Sequence, residues 1–417
     1  MFKNFSGSKL GKILVSFFCI LGPAYLTNEA NNDYGAVTTY IQSGATYGMS
    51  MLWVMALLFP IIYFCQEMSA RLGICSKENF IVLIRQKFGD FWANLSLTNL
   101  LLVNFLILMT EFAGITLVSR VIGISPFITV PTSIIGFMWL VVGNKYKKWE
   151  NIMIAFCTLD VLWFFMSFFT HPNYSEVIKG LLPLMPKGGI SKDYLFLLMS
   201  LVGTSITYWG LTIQVSCVVE KKINIADLKM EQFETFITSI FTVLVAGAMI
   251  IVGAISYKHG LKFEDPASMA LAISKWYPWL KNLILIMIIN ASLLGAVAVS
   301  LSSSWALSEK QGQFNKTIKD DPKFYFTYLS CIAMSGLLCL IPKLPLDLIV
   351  LGVQVLSCIS LPYVLVFLHI LLNDKELVGE QYINKPWQNL VNILIIIVLC
   401  ALSLILLLQV LLPGLFK

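Results

Sequence analysis

Apolar runs of roughly 18 or more residues, each able to cross about 30 Å of hydrocarbon as a helix, recur along the whole chain. They predict an all-α membrane protein of about eleven transmembrane helices, at roughly 10–46, 48–70, 94–119, 127–143, 151–170, 194–219, 234–257, 281–307, 324–342, 346–372 and 388–414. Two segments break the apolar pattern in their middle. The first carries Asn31-Asn32-Asp33-Tyr34-Gly35-Ala36, the sixth Gly203-Thr204-Ser205-Ile206-Thr207-Tyr208-Trp209-Gly210. A helix in lipid satisfies its own backbone, so polar, glycine-rich interruptions at membrane depth persist where they line a cavity. Paired interruptions point to a transporter's binding site.

Five segments from each interruption onward make two equal halves, 1–170 and 194–372, with 388–414 as one further helix. The spacing predicts an inverted repeat within a single transmembrane transport domain spanning 1–417. Composition agrees: 58% hydrophobic and 12% charged residues leave too little polar surface for a water-soluble protein. The lipid bilayer is therefore one partner. The N-terminal apolar run continues into the polar interruption and has no small-residue cleavage pattern before it, so it reads as the first span and not as a removable signal.

Lys and Arg concentrate in alternate loops, including Lys3, Lys9, Lys12, Arg71, Lys77, Arg85, Lys87, Lys145, Lys147, Lys148, Lys221, Lys222, Lys316 and Lys319. This bias places the N-terminus in the cytoplasm of a cell whose cytoplasmic membrane the chain crosses many times. It also accounts for the net charge of +6 without nucleic-acid binding, because the basic residues are dispersed over short loops. Most of the nine cysteines fall inside apolar runs and show no metal-ligand spacing. With three histidines, no HExxH and no Ser/His/Asp set, the chain lacks the groups of an enzyme and needs no bound cofactor. Trp53, Trp92, Trp139, Trp149, Trp163, Trp276, Trp279 and Trp387 read as interface anchors. Gly247 and Gly253 read as helix-packing surfaces.

The intramembrane acids carry the functional signal, since an ionisable side chain at bilayer depth costs about 2.5–3.5 kcal/mol on insertion scales. Asp33 sits midway in its segment and is the strongest candidate for holding a cation. Its alternative role is to cap the half-helix that follows, for which Asp is well suited. Thr207 and the Thr204 carbonyl would face it if the interruptions meet, giving oxygen donors suited to hard cations; the alternative is hydroxyls bonded back to their own helix. Glu29, one turn before Asp33, would draw cations toward a vestibule. Asp160, in the fifth span, has no evident role.

The run Gly22-Pro23-x-Tyr25 through Asp33-Tyr34-Gly35-Ala36-x-Thr38-Thr39-x-x-Gln42-Ser43-Gly44-Ala45-x-Tyr47-Gly48, with Leu52-Trp53 and Gln66-Glu67-Met68-Ser69-Ala70-Arg71-Leu72-Gly73, resembles the Nramp divalent-metal transporters. The resemblance implies a LeuT fold over the whole chain, with a divalent metal ion as substrate and a monomeric carrier. It aligns Asp33 with the family's metal-binding Asp and Ala36 with its metal-binding Asn, and Gln354 with Leu361-Pro362 matches the tenth-helix pattern. Thr207, Tyr208 and Trp209 fall where the family has Met-Pro-His, so the sulfur ligand is absent. That loss is the pattern of the Nramp-related magnesium transporters, a side branch that the segment Ser302–Glu309 also resembles. Mg²⁺ dehydrates reluctantly, and Ala36 in place of Asn would leave room for its water.

Both helix-breaking prolines of the family are tyrosines here, Tyr34 and Tyr208. Unwinding would then rest on Gly35, Gly203 and Gly210, helped by Asn31 and Asn32 competing for backbone hydrogen bonds. The family's third-helix acidic pair aligns with Glu111 and Gly114, and its sixth-helix histidines with Trp209 and Gln214. Glu111 is thus the one remaining candidate proton carrier; its alternative role is to pair with a buried donor. The expected function is import of Mg²⁺ or Mn²⁺ by alternating access without obligatory proton entry. The alternatives are a proton-coupled Mn²⁺/Fe²⁺ importer or an amino-acid permease of the same fold.

Overall fold

A computed structural model describes residues 22–141, 146–183, 189, 191–310, 322–342 and 344–411. Every regular element among them is helical. The first predicted span is two half-helices, α1 (Pro23–Ala30) and α2 (Tyr34–Tyr47), separated by Asn31, Asn32 and Asp33. The next spans are α3 (Leu52–Ser76), α5 (Asp90–Ile122) and α6 (Pro126–Val141), with a short surface helix α4 (Phe80–Phe88) that the hydrophobic pattern had not separated. The fifth span is also divided, into α7 (Tyr146–Thr158) and α8 (Val161–Phe169), and is followed by α9 (Tyr174–Gly180).

The sixth span is α10 (Lys192–Ser205) and α11 (Tyr208–Glu220), separated by Ile206 and Thr207. Then come α12 (Leu228–Lys258), a short α13 (Pro266–Ile273), α14 (Pro278–Lys310), α15 (Pro322–Leu338), α16 (Leu346–Leu372), α17 (Lys375–Val378) and α18 (Pro386–Leu411). All predicted segments thus hold helix over their described parts. The predicted start near residue 10, and Lys3, Lys9, Lys12, Lys145, Lys316 and Lys319, lie outside the described residues.

The two broken spans occupy the centre and are enclosed by α3, α5, α12, α14 and α16. Close backbone approach makes this possible. A Cβ on Gly44 would stand 2.0 Å from the Ile250 carbonyl oxygen and one on Gly253 2.1 Å from that of Ile41, so α2 and α12 touch through glycine on both sides. Gly247, read from sequence as a second packing glycine, faces only Leu52 at 3.8 Å. The Gln66–Gly73 motif acts structurally: the Arg71 guanidinium donates to Glu67 at 2.8 and 3.1 Å, to the Tyr382 carbonyl and to Asn384, fixing α3 to the turn before α18.

The aromatic reading needs correction at two positions. Trp163 is fully buried, and Trp149 is buried against Trp305 with ring centroids 5.7 Å apart, so these two fill the interior and do not anchor an interface. Trp92, Trp139, Trp276, Trp279 and Trp387 are exposed on the protein surface.

Gly253→Val forces a side chain into backbone and is expected to cost about 1–3 kcal/mol. Gly247→Ala, whose Cβ would meet only Leu52 at an ordinary contact distance, is expected to leave stability equal or slightly higher. Thermal melts of the detergent-purified variants, followed by loss of the monodisperse peak, measure the difference.

Candidate cation site

Both breaks are built in the same way and neither uses proline. Asp33 is extended (φ −63°, ψ 179°) and its Oδ1 accepts from the Ala36 N–H at 2.8 Å, capping α2. Thr207 is extended (φ −118°, ψ 149°) and its Oγ1 accepts from the Gly210 N–H at 3.0 Å, capping α11. A tyrosine takes the first helical position after each cap. The breaks meet: the Thr207 hydroxyl donates to Asn31 Oδ1 at 2.7 Å.

The glycines and asparagines work differently from the sequence expectation. Gly35, Gly203 and Gly210 do not have positive φ, so left-handed backbone is not their contribution. They supply space. A Cβ on Gly35 would lie 1.7 Å from Gln354 Nε2, one on Gly203 2.0 Å from the Gln354 carbonyl oxygen, and one on Gly210 2.7 Å from Thr207 Oγ1. The side chains of Asn31 and Asn32 bond to Thr207 and Glu29, not to backbone.

Gln354 on α16 is therefore wedged where both broken spans cross. It is fully buried, and both atoms of its amide lack a hydrogen-bond partner among the described residues. Thr204 Oγ1, buried in the last turn of α10, likewise has no partner, and the carbonyls of such a turn have no partner within their own helix. Ala36 is buried in the first turn of α2. Unpartnered buried polar atoms are rare and demand an explanation. Among them the Gln354 amide lies beside Asp33: a Cβ on Gly35 would stand 1.7 Å from Gln354 Nε2 and 3.1 Å from Asp33 Oδ1. No group of three or more His, Cys, Asp and Glu able to hold a metal is found among the described residues.

Glu111 on α5 belongs to this same centre. Its Oε2 accepts the Tyr34 N–H at 3.1 Å and its Oε1 the Thr110 hydroxyl at 3.1 Å. Across Gly295 of α14, where a Cβ would stand 2.6 Å from Glu111 Cδ and 2.8 Å from Asp33 Cβ, the two acids share the start of α2. Tyrosine in place of proline explains the contact, because it restores an N–H that proline lacks. The Tyr34 ring fits because Gly114 faces it: a Cβ there would stand 2.6 Å from the ring. Two departures seen separately in the sequence are thus one steric exchange, legible only when Tyr34 and Gly114 are seen to touch.

Glu29 does not face an open vestibule here. It is fully buried, accepting from the Thr242 hydroxyl at 2.5 Å and from Asn32 Nδ2 at 3.2 Å. A cavity of about 220 Å³ lies instead on the α2 side, lined by Tyr34, Thr38, Gln42, Glu264 and Asp265; Asp33 does not line it. Gln214, at a family histidine position, links α1 to α12 by accepting from Thr27 at 2.5 Å and donating to Glu231 at 3.0 Å. Trp209, at the other, is buried.

Removing the acceptor of the Tyr34 N–H by Glu111→Ala is expected to cost about 1–3 kcal/mol, whereas Glu111→Gln keeps an acceptor and costs less. In a Tyr34→Pro background the donor is gone, so Glu111→Ala should there cost little. A double-mutant cycle of melting measurements reads this coupling.

Residues 24–409 match the sequence profile of the Nramp family, described as natural resistance-associated macrophage protein-like. The divalent metal cation transporter MntH of Bacillus subtilis is 25% identical over 409 residues, covering 92% of this chain and 90% of its own. MntH of Clostridium acetobutylicum is 26% identical, covering 96% and 93%. Among solved structures, the Eremococcus coleocola manganese transporter superposes with a TM-score of 0.77 at 17% identity, covering 96% of this chain and 87% of that one. MhsT, solved with L-phenylalanine, gives 0.58 at 14% identity, covering 97% and 98%. These structural likenesses establish the LeuT-type fold.

Proposed function

The chain belongs to the Nramp family, and from that membership we propose that it carries a hard divalent metal cation, Mg²⁺ ahead of Mn²⁺, across the membrane by alternating access. The relatives named above as divalent metal cation and manganese transporters support the cation class. One observation supports the harder ion: the candidate shell of Asp33, Gln354, Thr204 and Thr207 offers oxygen and amide groups and no thioether. Oxygen donors beside a carboxylate suit an ion that keeps part of its water, and sulfur would favour softer metals. Asp33 is the fixed charge in this reading. Gln354, Thr204 and Thr207 act directly or through water, and Ala36 leaves room for that water. The Lys and Arg bias supports a cytoplasmic N-terminus in a cytoplasmic membrane; in this reading one chain is the carrier.

Proton entry is not required for accumulation. At 100 mV a divalent ion gains about 4.6 kcal/mol, which sustains roughly three decades of gradient. Glu111 in this reading holds the Tyr34 N–H and is not a proton donor to the cytoplasm.

The test is uptake of Mg²⁺, Mn²⁺ and Ca²⁺ into proteoliposomes at a clamped potential with a pH dye inside. Asn caps a helix as well as Asp does, so Asp33→Asn preserves the break while removing the charge. It is expected to lower Mg²⁺ uptake at least tenfold with a melting temperature near wild type, and Asp33→Ala to lose both. Wild-type uptake by folded Asp33→Asn protein rejects the site. Glu111→Gln should retain uptake, with no acidification in either protein; metal-dependent acidification that vanishes in Glu111→Gln would establish proton coupling instead.

A further inference from the structure

Beyond the junction of the two breaks, each second half-helix carries a polar stripe at four-residue spacing. On α2 it is Tyr34, Thr38 and Gln42, and on α11 it is Tyr208, Thr212 and Ser216. Side chains four residues apart share one face, and eight residues cover about 12 Å of helix. The two stripes differ in what they meet. On α11 the Thr212 hydroxyl donates to the Trp209 carbonyl at 2.9 Å and lies 3.2 Å from the Ser302 hydroxyl of α14, while the Ser216 hydroxyl donates to the Thr212 carbonyl at 3.3 Å. That stripe is satisfied by protein. On α2 Thr38 is 3% exposed, yet neither its Oγ1 nor the buried Gln42 Oε1 has a hydrogen-bond partner among the described residues.

Both residues line the cavity of about 220 Å³, as does Tyr34, the residue after Asp33. The loop before α13 adds Lys262, Glu264 and Asp265 to its wall. Asp265 is committed to the fold, since its Oδ1 accepts from the N–H groups of Ala267 and Ser268 at 2.8 and 2.9 Å and so caps α13. Glu264 is exposed and, like Lys262, stands in no ion pair among the described residues. The wall therefore carries two carboxylates against one amine, with two buried oxygens that no protein donor satisfies. A water molecule occupies about 30 Å³ of liquid, so the space takes an ion together with its own water. Mg²⁺ keeps several waters, and those waters are donors.

We propose that this cavity is a second cation site, where a hydrated divalent ion waits on its way to Asp33, its water donating to Thr38 Oγ1, Gln42 Oε1 and the Glu264 carboxylate. The inference rests on the transport reading above, in which the N-terminus is cytoplasmic and α2 runs outward from Asp33. An excess of negative charge in a cleft concentrates cations there. The Lys262 amine opposes them, which keeps the ion loosely held and able to move inward along the α2 stripe.

The test is binding of Mn²⁺, a paramagnetic stand-in for Mg²⁺, to the full-length protein in detergent, read from the loss of the free-ion electron paramagnetic resonance signal. Wild type is expected to bind two ions and Asp33→Asn one. In the Asp33→Asn background, Glu264→Gln and Thr38→Val are each expected to weaken the remaining ion at least fivefold, and Lys262→Gln to tighten it about threefold. Glu264 is exposed, so its variant reads the site even where Thr38→Val does not fold. Absence of any ion that survives Asp33→Asn, or a surviving ion indifferent to both Glu264→Gln and Thr38→Val, overturns the proposal. Loss of all binding in Asp33→Asn would still leave the transport site standing, whereas binding unchanged by Asp33→Asn and lost in Glu264→Gln would reject Asp33 and retain the outer site.

Discussion

Backbone groups freed in the middle of a membrane have no water to turn to, and an unsatisfied one costs several kcal/mol. The architecture follows from how two broken helices meet that constraint without proline. Asp33 and Thr207 each fold an oxygen onto the N–H three residues ahead, and Glu111 takes the N–H of Tyr34. The Thr207 hydroxyl then crosses to Asn31, tying one break to the other. Capping and ion binding are therefore not competing readings of Asp33: the cap keeps the carboxylate in place, and the dipole of α2 stabilises its charge.

Glycine serves that junction through absent volume. Gly35, Gly203, Gly210, Gly114 and Gly295 each stand where a Cβ would strike a neighbouring side chain or backbone, and those neighbours are Gln354, Thr207, Tyr34, Glu111 and Asp33. The centre is packed tightly enough that the orphaned amide of Gln354 marks it by chemistry, not by an open cavity.

Much of this was legible in the sequence because bilayer thickness imposes its period on the chain. The apolar runs located the spans, and each polar interruption contains its break, Asn31 to Asp33 in the first and Ile206 to Thr207 in the sixth. What stayed hidden depends on contacts between distant segments. The division at Leu159–Asp160 carries no proline or glycine signal, and it becomes visible only with Asn290 against it. Tyr34 and Gly114 looked like two unrelated losses until the ring and the missing side chain were found to occupy the same space. The burial of Glu29 is equally hidden, because its partner Thr242 lies 213 residues away.

The central claim is that Asp33 passes a divalent cation with its own two charges and nothing else. It is tested most directly by the potential at which net Mg²⁺ flux reverses in proteoliposomes, with Na⁺ equal on both sides. The account predicts a shift of about 30 mV for each tenfold Mg²⁺ gradient, unchanged when a pH gradient is imposed. A reversal potential that moves with the pH gradient would contradict it.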